Sequence, residues 1–161
     1  MKIKELWIED YKLLKDFNIT FDEQLIVLIG QNGSGKSTLL EFVANIFYDL
    51  YEHFVLDKGS KPKFDFNLRY EIEYSGNYYE IYITSNKKTK EYYEINIKRN
   101  DEKFKKYSKL QINQEFDSGY KDMLPQNVVM YYSGISEILE NKFQAFQEEY
   151  FISHLLKIVK K

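Results

Sequence analysis

Residues 30–37, with the sequence GQNGSGKS, constrain this chain more than any other stretch. They fit the pattern G-x-x-x-x-G-K-[ST] at every required position, and Thr38 extends the match. The pattern is typical of a phosphate-binding loop, in which backbone N–H groups surround the phosphate oxygens of a nucleotide. Such a loop joins a strand to a helix, so the motif also predicts the two elements that flank it.

The neighbouring residues suit those two elements. The apolar run Leu25–Ile29 predicts a short buried strand that leads into the loop. After the loop, apolar residues recur at helical spacing, which predicts a helix from about Lys36 to about Tyr51. The apolar residues of this helix are Leu39, Leu40, Val43, Ile46, Phe47 and Leu50.

Each position of the loop has a chemical reason. Glycine tolerates a positive φ, which lets successive N–H groups point at one anion, and the helix dipole adds positive potential. We expect Lys36 to reach the β- and γ-phosphates and the Ser37 hydroxyl to ligate Mg²⁺. The predicted cofactors are therefore ATP and Mg²⁺, with Lys36 as the catalytic residue and Ser37 as the metal ligand. The predicted cofactor-binding residues are Gly30, Asn32, Gly33, Ser34, Gly35, Lys36, Ser37 and Thr38.

Length and composition set wider limits. The 161 residues suit one domain with a real core, and the net charge of −2 neither requires nor excludes a nucleic-acid partner. The chain has no cysteine, which excludes disulfides and cysteine-ligated zinc. No apolar run approaches the roughly 18 residues needed to cross a membrane, and we expect a cytoplasmic protein without a membrane partner.

Periodicity gives the remaining elements. Two strands precede the loop, at Lys2–Ile8 and Leu13–Phe21. Beyond the helix, strict alternation predicts three hairpin-connected strands in a β-meander over about residues 62–112, with a possible fourth near Phe104–Leu110. A further apolar strand is predicted at Val128–Tyr132, followed by a long helix after Gly134.

Residues 1–50 resemble the N-terminus of the RecF/SMC/Rad50-like ATPases. The resemblance rests on the loop, where Asn32 is typical of this group, and on the pattern Ile8–Lys12 between the first two strands. It implies an α/β fold with α+β character, the first lobe of an ABC-type ATPase head, with an antiparallel β-meander after the loop helix and a C-terminal helix. It also makes Lys12 a candidate for contact with nucleotide phosphates.

A second stretch, Leu124–Gly134, looks like a segment of the AAA-labelled ATPases of bacterial restriction and anti-phage systems. This similarity implies an antiviral role and an effector partner such as a nuclease. The first resemblance implies a second ATPase head as partner, in a homodimer or larger assembly, with DNA as a further partner.

Two parts that the resemblance implies are missing from the sequence. Members of the group carry paired acids at the end of a strand and a Ser/Gly-rich signature loop, and neither follows Tyr132. We therefore expect residues 1–161 to form an N-terminal lobe, with the C-terminal lobe supplied by other sequence. Alone, the chain is expected to bind ATP without efficient turnover.

Three functions remain open at this point. The first is an ATPase that couples nucleotide-driven dimerisation of two heads to DNA repair or anti-phage defence. The second is an interaction module that binds ATP without hydrolysis. The third is a nucleic-acid-binding domain that uses residues 86–106, where eight Lys and Arg stand against four acids.

Overall fold

The computed structural model describes residues 1–23 and 27–125. All of them belong to the first of two compact units of the chain, Met1–Val128. The strand predicted at Val128–Tyr132 and the helix predicted after Gly134 lie outside the described residues.

Within the described residues, six antiparallel strands form one sheet in the order β2-β1-β3-β4-β5-β6. The strands are β1 (Lys2–Tyr11), β2 (Leu14–Thr20), β3 (Phe66–Tyr74), β4 (Asn77–Ser85), β5 (Tyr93–Arg99) and β6 (Lys105–Lys106). The helices are α1 (Lys36–Phe54), α2 (Lys109–Glu115) and α3 (Tyr120–Met123). The predicted β-meander is confirmed, and so are the two strands before the loop.

The sheet has one buried face, as the alternation predicts. Across β1, β3, β4 and β5 the inward residues Leu6, Leu68, Ile83 and Ile95 are in register and buried. Strand β1 pairs with β3, and this pairing joins the two strands before the loop and the meander after it into one sheet. Periodicity identified both groups of strands but not this connection, because strand order depends on long-range packing.

Helix α1 covers the buried face of the sheet. Phe42 is fully buried, and its ring lies 4.7 Å from Phe64 and 6.4 Å from Phe66 between centroids. Further along the helix, Phe47 packs edge-on against Tyr70 at 6.0 Å. The predicted start at Lys36 is confirmed, whereas the helix ends three residues later than predicted and Leu40 is 50% exposed. None of the helices in residues 1–23 and 27–125 is long and apolar enough to span a membrane.

The possible fourth meander strand is only partly present. It is limited to the two residues of β6, and the last two residues of the predicted segment, Lys109 and Leu110, begin α2 instead. Ser108 accepts a hydrogen bond from the Gln111 backbone while the Gln111 side chain accepts one from the Ser108 backbone, which is a capping box. This local cap starts a helix and places Ile112 in the core.

The buried strand predicted at Leu25–Ile29 is wrong for the described part, residues 27–29. These residues form no strand, and Val27 and Ile29 are 72% and 90% exposed. A buried central strand needs hydrogen-bonding neighbours on both sides. Residues 27–29 pair with none of the six strands of the described sheet.

Candidate nucleotide-binding site

The loop between residue 29 and helix α1 has the backbone conformation that its glycines permit. Gly33 and Gly35 adopt φ values of +83° and +91°, where a side chain would introduce strain. A turn hydrogen bond joins the Ser34 N–H to the Gln31 carbonyl at 3.2 Å. Residues 30–34 are exposed, so ligands can reach the loop from solvent.

Lys36 folds back onto this loop. Its Nζ donates to the carbonyl oxygens of Gly30 at 2.5 Å and Gln31 at 2.7 Å, and lies 3.3 Å from Ser34 Oγ. The ammonium is thereby fixed beside the loop backbone by two strong acceptors. An ammonium in this position can neutralise the charge of an anion bound by the loop.

The first turn of α1 offers free donors and a hydroxyl. Within the described residues no side chain caps this helix, and its first turn contains no acid. The first N–H groups of a helix have no partner within it and attract anions. Ser37, in this turn, is exposed, and Thr38 beside it is half-buried. Gly30 and Asn32 lie in the exposed loop, so all eight predicted binding residues lie within one continuous segment.

Strand β2 supports the loop from one side. Leu14 is buried, and an added Cβ on Gly35 would lie 3.5 Å from its Cδ2. A surface cavity of about 380 Å³ lies here, lined by loop residues and by apolar residues of β2 and α1. The turn between β1 and β2 is therefore a neighbour of the loop. This adjacency matters for Lys12, which is part of that turn.

Lys12 is bound to a carboxylate of α1. Its Nζ lies 2.6 Å from both Oε1 and Oε2 of Glu41, and the Tyr11 hydroxyl donates to Oε1 at 2.8 Å. Asn45 donates to the Tyr11 hydroxyl oxygen at 2.9 Å. Burial, together with the hydrogen bond to Glu41 and its charge, raises the pKa of Tyr11 well above its usual value.

Glu41 is the residue of this site that the sequence analysis missed. It follows Ser37 by four residues, which places both on one face of α1 one turn apart. That spacing could have identified it as a carboxylate near the predicted metal ligand.

The basic segment, residues 86–106, is largely neutralised by its neighbours. Five of its eight cations form ion pairs, which are Lys87–Glu9, Lys98–Glu80, Arg99–Glu115, Lys105–Glu102 and Lys106–Glu94. Only Lys88, Lys90 and Lys103 lack an ion pair among residues 1–23 and 27–125. Phosphate binding at this surface would have to break several of these pairs.

Comparison with known proteins agrees with this geometry. Residues 5–160 match the AAA domain family. The chain belongs to the RecF/SMC/Rad50-like P-loop ATPases. It corresponds to their N-terminal region, and the described part is an α+β structure with an antiparallel sheet. The match to the anti-phage branch that Leu124–Gly134 suggests stays a prediction.

Individual relatives match over limited segments. The DNA replication and repair protein RecF of Leptospira biflexa is 31% identical over 112 residues, which is 67% of this chain and 29% of RecF. The DNA double-strand break repair Rad50 ATPase of Methanocaldococcus jannaschii is 29% identical over 85 residues, covering 50% of this chain and 8% of Rad50. The Methanosarcina mazei Rad50 is 49% identical over 41 residues, 26% of this chain and 4% of that protein. The chain thus spans less than a third of each of these relatives.

Proposed function

We propose that residues 30–38 bind ATP with Mg²⁺ and that the chain is the nucleotide-binding lobe of an ATPase head that works in DNA repair. The observation that carries this proposal is the loop itself. Its glycines at 33 and 35 have positive φ, its lysine lies against the loop carbonyls, and it opens directly into the uncapped start of α1. These three features together suit a triphosphate.

Each loop residue then has one task. Backbone N–H groups of Gly33, Gly35 and Lys36 donate to the phosphate oxygens, and the Lys36 ammonium neutralises the β- and γ-phosphates. The Lys36 ammonium lies closer to the two loop carbonyls than to Ser34 Oγ, which is 3.3 Å away. A phosphate oxygen can therefore take the place of Ser34 Oγ as its third partner while the two carbonyls still hold the lysine at the loop.

The residues present fit Mg²⁺ only in part. Ser37 is exposed on the first turn of α1 and can supply one oxygen ligand. Among the described residues no group of three or more His, Asp or Glu side chains could hold a metal by itself. Magnesium usually takes one or two protein ligands and completes its shell with phosphates and water, which suits this site. When bound, the ion would offset phosphate charge.

Hydrolysis and assembly are the wider part of the proposal. We propose that a second lobe or subunit supplies the acids that position the attacking water, and that ATP holds two heads together. The names of the relatives, repair proteins, support DNA-related work over anti-phage defence. ATP binding without turnover remains the second candidate function. A steady-state ATPase assay of the chain, alone and together with the second lobe or subunit proposed above, separates the two functions.

Replacing Lys36 by alanine tests the binding site. We expect at least a hundredfold loss of ATP affinity by isothermal titration calorimetry in Mg²⁺, because the ammonium meets the most highly charged part of the ligand. The thermal unfolding midpoint should be unchanged, since Lys36 contributes nothing to the core. Lys98→Ala, which removes a lysine from the far face of the sheet, is the matched control. ATP affinity retained in Lys36→Ala would contradict the proposed site.

A further inference from the structure

Glu41 holds the β1–β2 turn onto helix α1. Its carboxylate accepts hydrogen bonds from Tyr11, the last residue of β1, and from Lys12 in the turn, and Lys12 contacts both of its oxygens at 2.6 Å. The Glu41 side chain is only 16% exposed, whereas that of Lys12 is 47% exposed. A carboxylate so little hydrated depends on its partner to balance its charge.

This carboxylate lies next to the phosphate loop. Glu41 is one helical turn beyond Ser37, and helical side chains tilt toward the N-terminus, so its charge lies toward the start of α1. Leu14, the residue that follows the β1–β2 turn, lines the same cavity as Gly35, and a Cβ added to Gly35 would be 3.5 Å from its Cδ2. The Lys12–Glu41 pair is therefore within about two helical turns of the proposed phosphates.

An unpaired negative charge at this distance would repel a triphosphate. Paired with Lys12, Glu41 has no net charge to present to the ligand. We infer that Lys12 supports nucleotide binding through Glu41, by cancelling the charge of that carboxylate, and not by contact with the phosphates. This inference rests on the proposed function of residues 30–38.

A double-mutant cycle distinguishes the two possible roles of Lys12, neutralising Glu41 and contacting the phosphates directly. The variants are Lys12→Ala, Glu41→Gln and the double variant, and the measurement is ATP affinity by calorimetry in Mg²⁺ at low ionic strength. A unit charge one to two helical turns from the ligand, partly screened by solvent, changes affinity by about fivefold. We expect Lys12→Ala to bind about fivefold more weakly than the unaltered chain. Glu41→Gln, which leaves no carboxylate to neutralise and only a half-exposed ammonium, should bind within about twofold of it. The double variant should bind within about twofold of the unaltered chain.

The double variant decides the outcome. If Lys12 contacts phosphate directly, removing Glu41 as well cannot restore binding, and the double variant will be as weak as Lys12→Ala. That result would overturn the inference while the unaltered chain still binds ATP. Failure of the unaltered chain to bind ATP would instead overturn the proposed function, and this inference with it.

Two controls protect the comparison. Lys98→Ala and Glu80→Gln break a pair of similar exposure, 34% and 18%, on the opposite face of the sheet, and should leave ATP affinity unchanged. Lys12 has a φ of +52°, so Lys12→Gly removes the charge while relieving backbone strain. If Lys12→Ala unfolds, Lys12→Gly replaces it in the cycle, with the same expected affinities and the same contradicting result.

Discussion

The structure around Phe42 is closed to solvent, whereas residues 27–34 form a region that is open to solvent. Phe42 is fully buried among Tyr11, Phe64 and Phe66, with ring centroids between 4.7 and 6.4 Å away. Ile29, only thirteen positions earlier, is 90% exposed, and the loop that follows has few internal hydrogen bonds. The difference indicates that the sheet and α1 provide the stability of this region, and that the loop at their edge is open to solvent.

The largest expected effect is the loss of stability when Phe42, at the centre of the closed region, is replaced. Phe42→Ala should lower the free energy of unfolding by about 3–5 kcal/mol, because it removes a large buried ring and leaves a cavity. Ile29→Ser is the matched change in the open region and should alter stability by less than about 0.5 kcal/mol. Urea unfolding followed by circular dichroism measures both. Equal losses in the two variants would show that residues 27–29 belong to the core.

A smaller effect concerns the tyrosines of the closed region. Burial first, and then the hydrogen bond and charge of Glu115, raise the pKa of Tyr79 to about 12. Because this value lies above the usual pKa of about 10, folding favours the protonated hydroxyl. The resulting stability is complete below about pH 10 and is lost as the pH rises from about 10 to 12.

Tyr79→Phe tests this pH dependence. At neutral pH it should cost about 1 kcal/mol, since the hydroxyl donates to Glu115 at 2.6 Å. Between about pH 10 and 12 the variant should lose less stability than the unaltered chain. Urea midpoints across that range provide the measurement. A variant with an unchanged alkaline slope would show that Tyr79 titrates normally.

Prediction from sequence succeeded where a local pattern determines the structure. The alternation in β3, β4 and β5 and the apolar spacing of α1 each require only near neighbours to be read correctly. The glycine conformations at 33 and 35 follow from the loop motif in the same way. Position 12 shows the limit, because the partner of Lys12 is Glu41, 29 residues away, and spacing within one element cannot reveal it.

The error at Leu25–Ile29 has a related cause. An apolar run predicts burial only if another part of the chain covers it, and in the described sheet no strand lies beside residues 27–29. The helix α2 was missed for a different reason. Its start depends on the capping box of Ser108 and Gln111, a polar signal that hydrophobic alternation does not contain.

The backbone amide resonances of residues 30–38 provide the most direct test of nucleotide binding. Their chemical shifts should be recorded by NMR while ATP and Mg²⁺ are added to the isotope-labelled chain. We predict the largest changes at Gly33, Gly35, Lys36 and Ser37, with small changes at the outward residues of β3 to β5. Saturating ligand that leaves these four amides unchanged, or that shifts the outer sheet face instead, would contradict the central claim.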